Sequence, residues 1–199
     1  DLARRIAEES IVLLQNNDNV LPLDKNKLKS LAVIGPNADK VQFGDYSPTK
    51  NNDYGVTVLQ GLRAYLGDEV KVNYALGCGI TSLFTDSIAS AVEAAKNSDA
   101  VILVLGGTSQ TLSGIGWGDE NSKELATCGE GYDRNELDFL GVQPQLLEAV
   151  AATGKPIVLV MINGRPLTIG EEAKKVNAVV EAWYPGEKGG EAVARVLFG

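Results

Sequence analysis

Five short apolar runs, separated by stretches with helical periodicity, constrain the fold more than any other feature of this chain. Most of the runs are continuous rather than alternating, which is typical of strands buried on both faces of a sheet. The runs lie at 31–35, 70–77, 100–107, 156–164 and 176–186. The helical patterns lie at 57–66, 85–97, 136–153, 165–175 and 187–198, after a first amphipathic helix predicted over 2–14. The alternation predicts an α/β fold: a three-layer sandwich with a mostly parallel sheet of about five to six strands and helices on both faces.

Each predicted strand runs into a glycine at its carboxyl end. These glycines are Gly35, Gly77, Gly106, Gly164 and Gly186. Glycine lets the backbone turn sharply, and it also lets a ligand approach the backbone closely. In open α/β sheets, ligands bind outside the carboxyl ends of the strands. A ligand-binding edge and a plain preference of strand-to-helix turns for glycine therefore remain equally good interpretations at each position.

The composition fits one globular domain. Of the 199 residues, 44% are hydrophobic and 22% are charged, so we expect a single domain over 1–199, in which residues 1–25 form a lead-in helix and linker. The formal net charge of −8 argues against nucleic acid or an anionic membrane surface as a partner. No apolar run reaches the roughly 18 residues of a membrane span.

The chain contains no histidine, which excludes several kinds of site. A Ser-His-Asp or Cys-His nucleophile would lack its base, and a zinc site would lack its commonest nitrogen ligand. Cys128 has neither a histidine nor a nearby lysine to activate it, so a small, partly buried thiol is the better interpretation. The two cysteines, Cys78 and Cys128, do not make a disulfide scaffold. Acid–base chemistry near neutral pH would depend on carboxylates, Lys, Tyr or Cys with shifted pKa values.

The sequence predicts no cofactor and no metal. The first strand is followed by "GPNA" rather than G-x-G-x-x-G, and the chain has no phosphate-binding G-x-x-x-x-G-K-[ST] motif. The acidic residues of the third strand's loop do not have the spacing of a calcium-binding EF-hand, so a solvated acidic loop is the better interpretation. These residues are Asp119, Glu120, Glu124, Glu130 and Asp133.

That third connection, from Gly106 to about Asn135, is the longest aperiodic segment, and such segments in compact domains are usually functional. Within it, the octamer "TCGEGYDR" at 127–134 places Glu130 between two glycines, so the carboxylate can project from a sharply turned backbone. Trp117 and Tyr132 would supply an apolar wall that raises a carboxyl pKa, as a general acid requires. An ion pair between Asp133 and Arg134 would fix the loop. The alternative is that Glu130 is one surface acid among 26.

Several segments together resemble the second domain of family 3 glycoside hydrolases, in order and over nearly the whole chain. The residues that carry the resemblance are "ARRIAEESIVLLQNNDNVLPL", "LAVIGPNAD", "QFGDYS", "GEGYDR", "GKPIVLVMINGRPL" and "AWYPGEKGGEAVARVLFG". The family includes β-glucosidases, β-xylosidases and related exo-acting enzymes. The resemblance implies an α/β sandwich that packs against an N-terminal (β/α) barrel, and a retaining mechanism with two carboxylates.

The resemblance also implies roles for individual residues. Glu130 matches the general acid/base, which is supplied to an aspartate nucleophile on the barrel, and Trp117 and Asp119 are expected to contact the substrate. The expected substrate is an oligosaccharide or aryl β-glycoside with a terminal β-linked sugar. Glu120 and Glu124 lie in the same variable loop and are rivals for the acid/base role.

The sequence departs from the family in two respects. The barrel that carries the nucleophile is missing, so we expect this chain to be part of a longer enzyme and inactive alone. Phe139, Leu140 and Gly141 also stand where the family's Leu-Pro-Gly is expected.

Three questions stay open at this point. The enzyme is expected to be β-glucosidase-like, with a β-xylosidase of the same family as the alternative. A non-catalytic, flavodoxin-like module that binds a small ligand is the alternative from another class. The location is not assigned by the sequence, although a periplasmic or secreted protein is favoured over a cytoplasmic one.

Overall fold

The computed structural model describes residues 2–44, 46–47, 54–109 and 126–199. Within these ranges the chain forms six α-helices and six strands, with short 3-10 turns between some of them. The helices are α1 (Leu2–Ser10), α2 (Val58–Leu66), α3 (Ile88–Lys96), α4 (Gln143–Ala151), α5 (Gly170–Ala173) and α6 (Gly189–Phe198). The strands are β1 (Val12–Asn16), β2 (Ser30–Ile34), β3 (Lys71–Ala75), β4 (Ala100–Gly106), β5 (Ile157–Ile162) and β6 (Ala178–Glu181).

The six strands form one sheet in the order β1-β6-β5-β4-β2-β3. The strands from β2 to β6 are parallel to their neighbours, and β1 runs antiparallel to β6 at one edge. The five parallel strands therefore have the flavodoxin-like order, in which the chain changes direction between its first and third strands. Here that switch point lies between the carboxyl ends of β2 and β4.

Apolar cores lie on both faces of the sheet, which makes the molecule three layers. Alternate residues of a strand point to opposite faces, so Val33 packs with α2 and α6 whereas Ile34 packs with α3 and α4. Leu62 of α2 and Leu147 of α4 are almost wholly buried in the two cores, and each such side chain stabilises the fold by roughly 1.5–3 kcal/mol. The predicted α/β sandwich with a mostly parallel sheet is confirmed.

The prediction of one helix over 2–14 is wrong in its second half. Helix α1 ends at Ser10, and Val12–Asn16 forms the edge strand that pairs with β6. The apolar residues Leu13 and Leu14 were assigned to a helix face, but they lie on this edge strand, where both side chains are exposed. The expected lead-in helix and linker therefore includes one strand of the sheet.

Two other predicted helices are shorter than their patterns suggested. The helix predicted over 136–153 begins only at Gln143, because Pro144 fits the first turn of a helix but not its interior. Residues 126–142, before it, have no helix or strand. The helix predicted over 165–175 is limited to Gly170–Ala173. Among the described residues no helix is long and apolar enough to cross a bilayer.

Candidate active site at the carboxyl edge of the sheet

The switch point between β2 and β4 is filled by the protein's own amide side chains. Asn37, which is fully buried, donates from Nδ2 to the carbonyl oxygen of Gly107 at 3.1 Å. Gln42 donates to Asn37 Oδ1 at 2.7 Å, and the Thr108 hydroxyl donates to Gln42 Oε1 at 2.9 Å. Buried polar groups therefore satisfy one another at the place where flavodoxin-like folds hold a ligand.

The glycine that ends β4 is required by the neighbouring strand. A Cβ on Gly106 would lie 2.0 Å from the carbonyl oxygen of Ile162, and the residue has a φ of 134° that favours glycine. The close approach of protein backbone therefore explains Gly106 without a ligand. Of the two interpretations left open for the strand-end glycines, the structural one applies at this position.

Beyond Gly106, the segment that carries Glu130 is attached to β4 through two threonines. The Thr127 amide donates to the carbonyl of Thr108 at 2.7 Å, and the Thr108 amide donates back to the Thr127 hydroxyl at 3.0 Å. Both threonines are buried. Two reciprocal hydrogen bonds therefore fix where this segment leaves the edge of the sheet.

Glu130 lies at a corner of a β-turn. The Tyr132 amide donates to the carbonyl of Gly129 at 3.2 Å, which closes a turn with Glu130 and Gly131 at its two central positions. Gly131 has a φ of 81°, the value that the third residue of a type II turn adopts and that glycine accommodates without strain. Gly131 therefore serves the turn, and the Glu130 side chain is exposed at its corner.

The Glu130 carboxylate contacts a second loop. The hydroxyl of Tyr46, in the segment that follows β2, donates to Glu130 Oε2. Tyr46 is 80% exposed, so its ring lies on the outer surface of the edge rather than in the core. A hydroxyl donor on one carboxylate oxygen restricts the orientation of the carboxyl group and leaves it at the protein surface.

A buried polar chain lies beneath the turn. The Arg165 guanidinium donates from Nη2 to the carbonyl of Tyr132 at 2.6 Å. Asn163 donates from Nδ2 to the Arg165 carbonyl at 2.9 Å and to Glu181 Oε2 at 3.1 Å. The Trp183 amide donates to Glu181 Oε1 at 2.9 Å. These contacts link the ends of β5 and β6 to the Glu130 turn.

Burial is the largest cause of the pKa shifts of ionisable groups near the Glu130 turn. It raises the pKa of the Glu181 carboxyl, although hydrogen bonds from Trp183 and Asn163 act in the opposite direction. Burial also lowers the pKa of the Arg134 guanidinium, and the positive charge of Arg165 adds to that effect. It raises the pKa of the Tyr184 phenol as well, whose ring packs beside the Cys128 sulfur.

The predicted site residues have different outcomes. The structure places Glu130 at the carboxyl edge of the sheet, whereas Trp117, Asp119, Glu120 and Glu124 lie outside the described residues. The predicted ion pair of Asp133 with Arg134 is wrong, because the Arg134 guanidinium donates to the backbone carbonyl of Asp138 at 2.6 Å instead. Cys128 is partly buried, as predicted, and Cys78 and Cys128 do not form a disulfide bond.

Sequence reasoning missed the residues that support Glu130. The sequence pattern does not identify four of them, which lie beyond the glycines that end the strands or in neighbouring segments: Tyr46, Asn163, Arg165 and Glu181. A signal existed: in a parallel sheet, polar residues directly after buried strands meet at one edge. In the described ranges, no group of three or more His, Cys, Asp or Glu side chains could hold a metal ion.

The chain matches a protein-family model. The model described as "Glycosyl hydrolase family 3 C-terminal domain" covers residues 11–199. The chain belongs to this family. The resemblance stated from the sequence is thereby confirmed, and the flavodoxin-like ligand-binding module is not favoured.

Relatives of this family 3 domain are glycosidases. The chain is 45% identical to a beta-xylosidase of Formosa agariphila, over 100% of this chain and 26% of that protein. It is 35% identical to a periplasmic beta-glucosidase of Salmonella typhimurium, over 99% of this chain and 26% of that protein. The chain spans about a quarter of the length of these relatives.

Solved structures show the same fold. A beta-glucosidase from Erythrobacter marinus superposes with a TM-score of 0.82 at 40% identity, over 100% of this chain and 28% of that one. A family 3 exo-beta-xylosidase in complex with a xylobiose aziridine probe superposes with a TM-score of 0.78 at 32% identity. That match covers 98% of this chain and 23% of the xylosidase.

Proposed function

We propose that this domain supplies the general acid/base of a retaining, exo-acting β-glycosidase, and that Glu130 is that residue. One observation carries the proposal: Glu130 stands at the exposed corner of a turn that is held on both sides, through Thr127 to Thr108 after β4 and through Tyr132 to Arg165 after β5. A residue that serves a neighbouring domain has to be exposed at the edge of its own domain and fixed in position. Glu130 meets both conditions.

The chemistry requires a second carboxylate. In a retaining glycosidase, one carboxyl group attacks the anomeric carbon while the other protonates the departing oxygen and later activates water. The two groups stand only about 5–5.5 Å apart, so both domains have to meet at the bound sugar. We assign the nucleophile to an aspartate on an N-terminal (β/α) barrel, as the family resemblance implies. The relatives are about four times as long as this chain, which leaves room for such a domain.

The substrate is a glycoside with a terminal β-linked sugar, either an oligosaccharide or an aryl β-glycoside. The names of the relatives include both beta-glucosidases and beta-xylosidases, and both sugars are candidates here. The 45% identity to a beta-xylosidase favours testing xylosides beside glucosides. A periplasmic or secreted location is supported by the name of the Salmonella typhimurium relative.

The test is Glu130→Ala in the full-length enzyme. General acid catalysis contributes roughly 10²–10⁴-fold, and the loss should appear mainly with aryl glycosides whose leaving groups are poor. With a good leaving group, the glycosyl-enzyme should still form but break down slowly, because no base activates water. Azide needs no base, so it should restore turnover and give a glycosyl azide of retained configuration.

Three other carboxylates make the experiment decisive. Glu136→Ala is the matched control, since Glu136 is another exposed glutamate of the same segment and should leave both substrate classes unaffected. Glu120→Ala and Glu124→Ala test the rivals. If either of them shows the leaving-group dependence and azide rescue while Glu130→Ala shows neither, the assignment of Glu130 is wrong.

A further inference from the structure

The Glu130 turn is attached to the sheet on both sides, and its C-terminal attachment depends on a charged side chain. Thr127 holds the N-terminal side through Thr108. On the other side, Arg165 donates from Nη2 to the carbonyl of Tyr132 at 2.6 Å. Tyr132 is also the residue whose amide closes the turn. The Arg165 contact therefore acts on the last residue of the turn, two positions from Glu130.

The backbone of Arg165 is held in place by buried side chains. It follows β5, and its carbonyl accepts a hydrogen bond of 2.9 Å from Asn163, which is 2% exposed. Asn163 is held in turn by the carboxylate of Glu181, which is 4% exposed. Side chains whose rotamers are fixed by packing and hydrogen bonds can hold a reactive group within the narrow geometry that catalysis needs.

Arg165 also lines a small cavity at the carboxyl edge of the sheet. The cavity has a volume of about 10 Å³, and Asn163 lines it beside Arg165. From this position the guanidinium reaches the Glu130 turn through its hydrogen bond to the Tyr132 carbonyl.

We propose that Arg165 is a positioning residue for the general acid/base. It fixes the carbonyl of Tyr132, and thereby the plane of the turn from which the Glu130 side chain projects. The proposal rests on the proposed function of Glu130. It adds that the protonation step, rather than the overall binding of substrate, depends on Arg165.

The experiment compares Arg165→Met and Arg165→Lys in the full-length enzyme. A misplacement of about 1 Å costs up to roughly 10²-fold in rate, so Arg165→Met should lose about 10–100-fold in kcat on an aryl glycoside with a poor leaving group. With a 2,4-dinitrophenyl glycoside, glycosyl-enzyme formation should fall by less than about 3-fold, because little protonation is needed. Arg165→Lys keeps a cationic donor and should recover part of the loss on the poor substrate.

Arg134→Met is the matched control. Arg134 lines the same cavity, but its guanidinium donates to the carbonyl of Asp138, outside the turn. Its removal should lower the activity on good and poor substrates by the same factor. Circular dichroism and melting temperature then show whether each variant is folded, and Arg165→Lys decides the question if Arg165→Met does not fold.

The outcomes separate the two proposals. If Glu130→Ala shows leaving-group dependence and azide rescue, but the Arg165 variants lose activity equally on both substrates or lose none, the positioning role is overturned and the function stands. If Glu130→Ala itself lacks the pattern, the proposed function fails first. If the Arg165 variants lose more activity on the poor leaving group than on the good one, and Arg134→Met does not, the positioning role of Arg165 is supported.

Discussion

Replacement of Gly106 by alanine tests why the strands end in glycine. An added Cβ would lie 2.0 Å from the carbonyl oxygen of Ile162, far inside van der Waals contact, and alanine would also have to adopt a φ of 134°. A residue held in so sparsely populated a backbone region costs about 1–3 kcal/mol. Relief of the contact requires that the ends of β4 and β5 move apart.

That movement would lengthen or break the hydrogen bond between Gly107 and Ile162. The Gly107 amide donates to the same Ile162 carbonyl at 2.8 Å, and Gln143 bonds both backbone groups of Gly106 at 2.8 Å. Loss of one buried hydrogen bond that leaves its donor unsatisfied costs about 1–3 kcal/mol. The two contributions together predict a loss of about 2–6 kcal/mol in the free energy of unfolding.

Gly154→Ala is the matched control. Gly154 has a φ of 70°, and an added Cβ there would meet nothing within 4 Å. It should therefore lose only the backbone term, about 1–2 kcal/mol. Equilibrium urea unfolding of the 199-residue chain, followed by far-ultraviolet circular dichroism, measures both losses. If Gly106→Ala is no less stable than Gly154→Ala, the contact with Ile162 is not the reason for the glycine. A ligand-binding role then becomes the better interpretation of this position.

Two further predictions concern the whole chain and its pH dependence. The 199-residue chain alone should not hydrolyse aryl β-glycosides at a measurable rate, because the proposed nucleophile lies on another domain; robust turnover by chromatographically pure chain would refute the two-domain mechanism. Burial raises the pKa of Glu181 from its ordinary 4.5, so the folded state binds this proton more tightly than the unfolded state. The free energy of unfolding of the wild type should therefore fall as the pH rises from about 4.5 through the folded-state pKa. The Glu181→Gln variant does not titrate at this position and should lack this fall. If the unfolding free energies of the two proteins, measured with urea, change in parallel between about pH 4 and pH 7, the burial of a protonated Glu181 is contradicted.

The parallel core of the fold could be predicted because most of its strands are continuous apolar runs. The edge strand β1 could not be identified in the same way. Its residues Val12, Leu13 and Leu14 form an apolar run too, but the helix before them continues the same helical periodicity. Pairing with β6, far away in the sequence, decides that this segment is a strand, and no local pattern reports such a contact.

Only part of the candidate site could be predicted. Glu130 is conspicuous in the sequence because two glycines flank it, and the turn explains Gly131. The supports were not found, because each depends on contacts across the sequence: Tyr46 reaches Glu130 from 84 residues away, and Arg165 reaches Tyr132 from 33 residues away. The family resemblance suggests the role that we propose for Glu130, whereas the residues that hold its turn in place can be recognised only from the fold.

The hydrogen bonds between Thr108 and Thr127 have a consequence for how this domain can diversify. They join the chain just before residues 110–125 to the chain just after them, and so hold the two ends of that segment together. When the two ends of a connecting segment are fixed, a change in its length costs mainly closure entropy, about 0.6 kcal/mol for each doubling. Insertions or deletions between the two threonines should therefore leave the turn of Glu130 in register. Changes in sequence between the two threonines can then accumulate without moving the carboxylate that we propose as the acid/base.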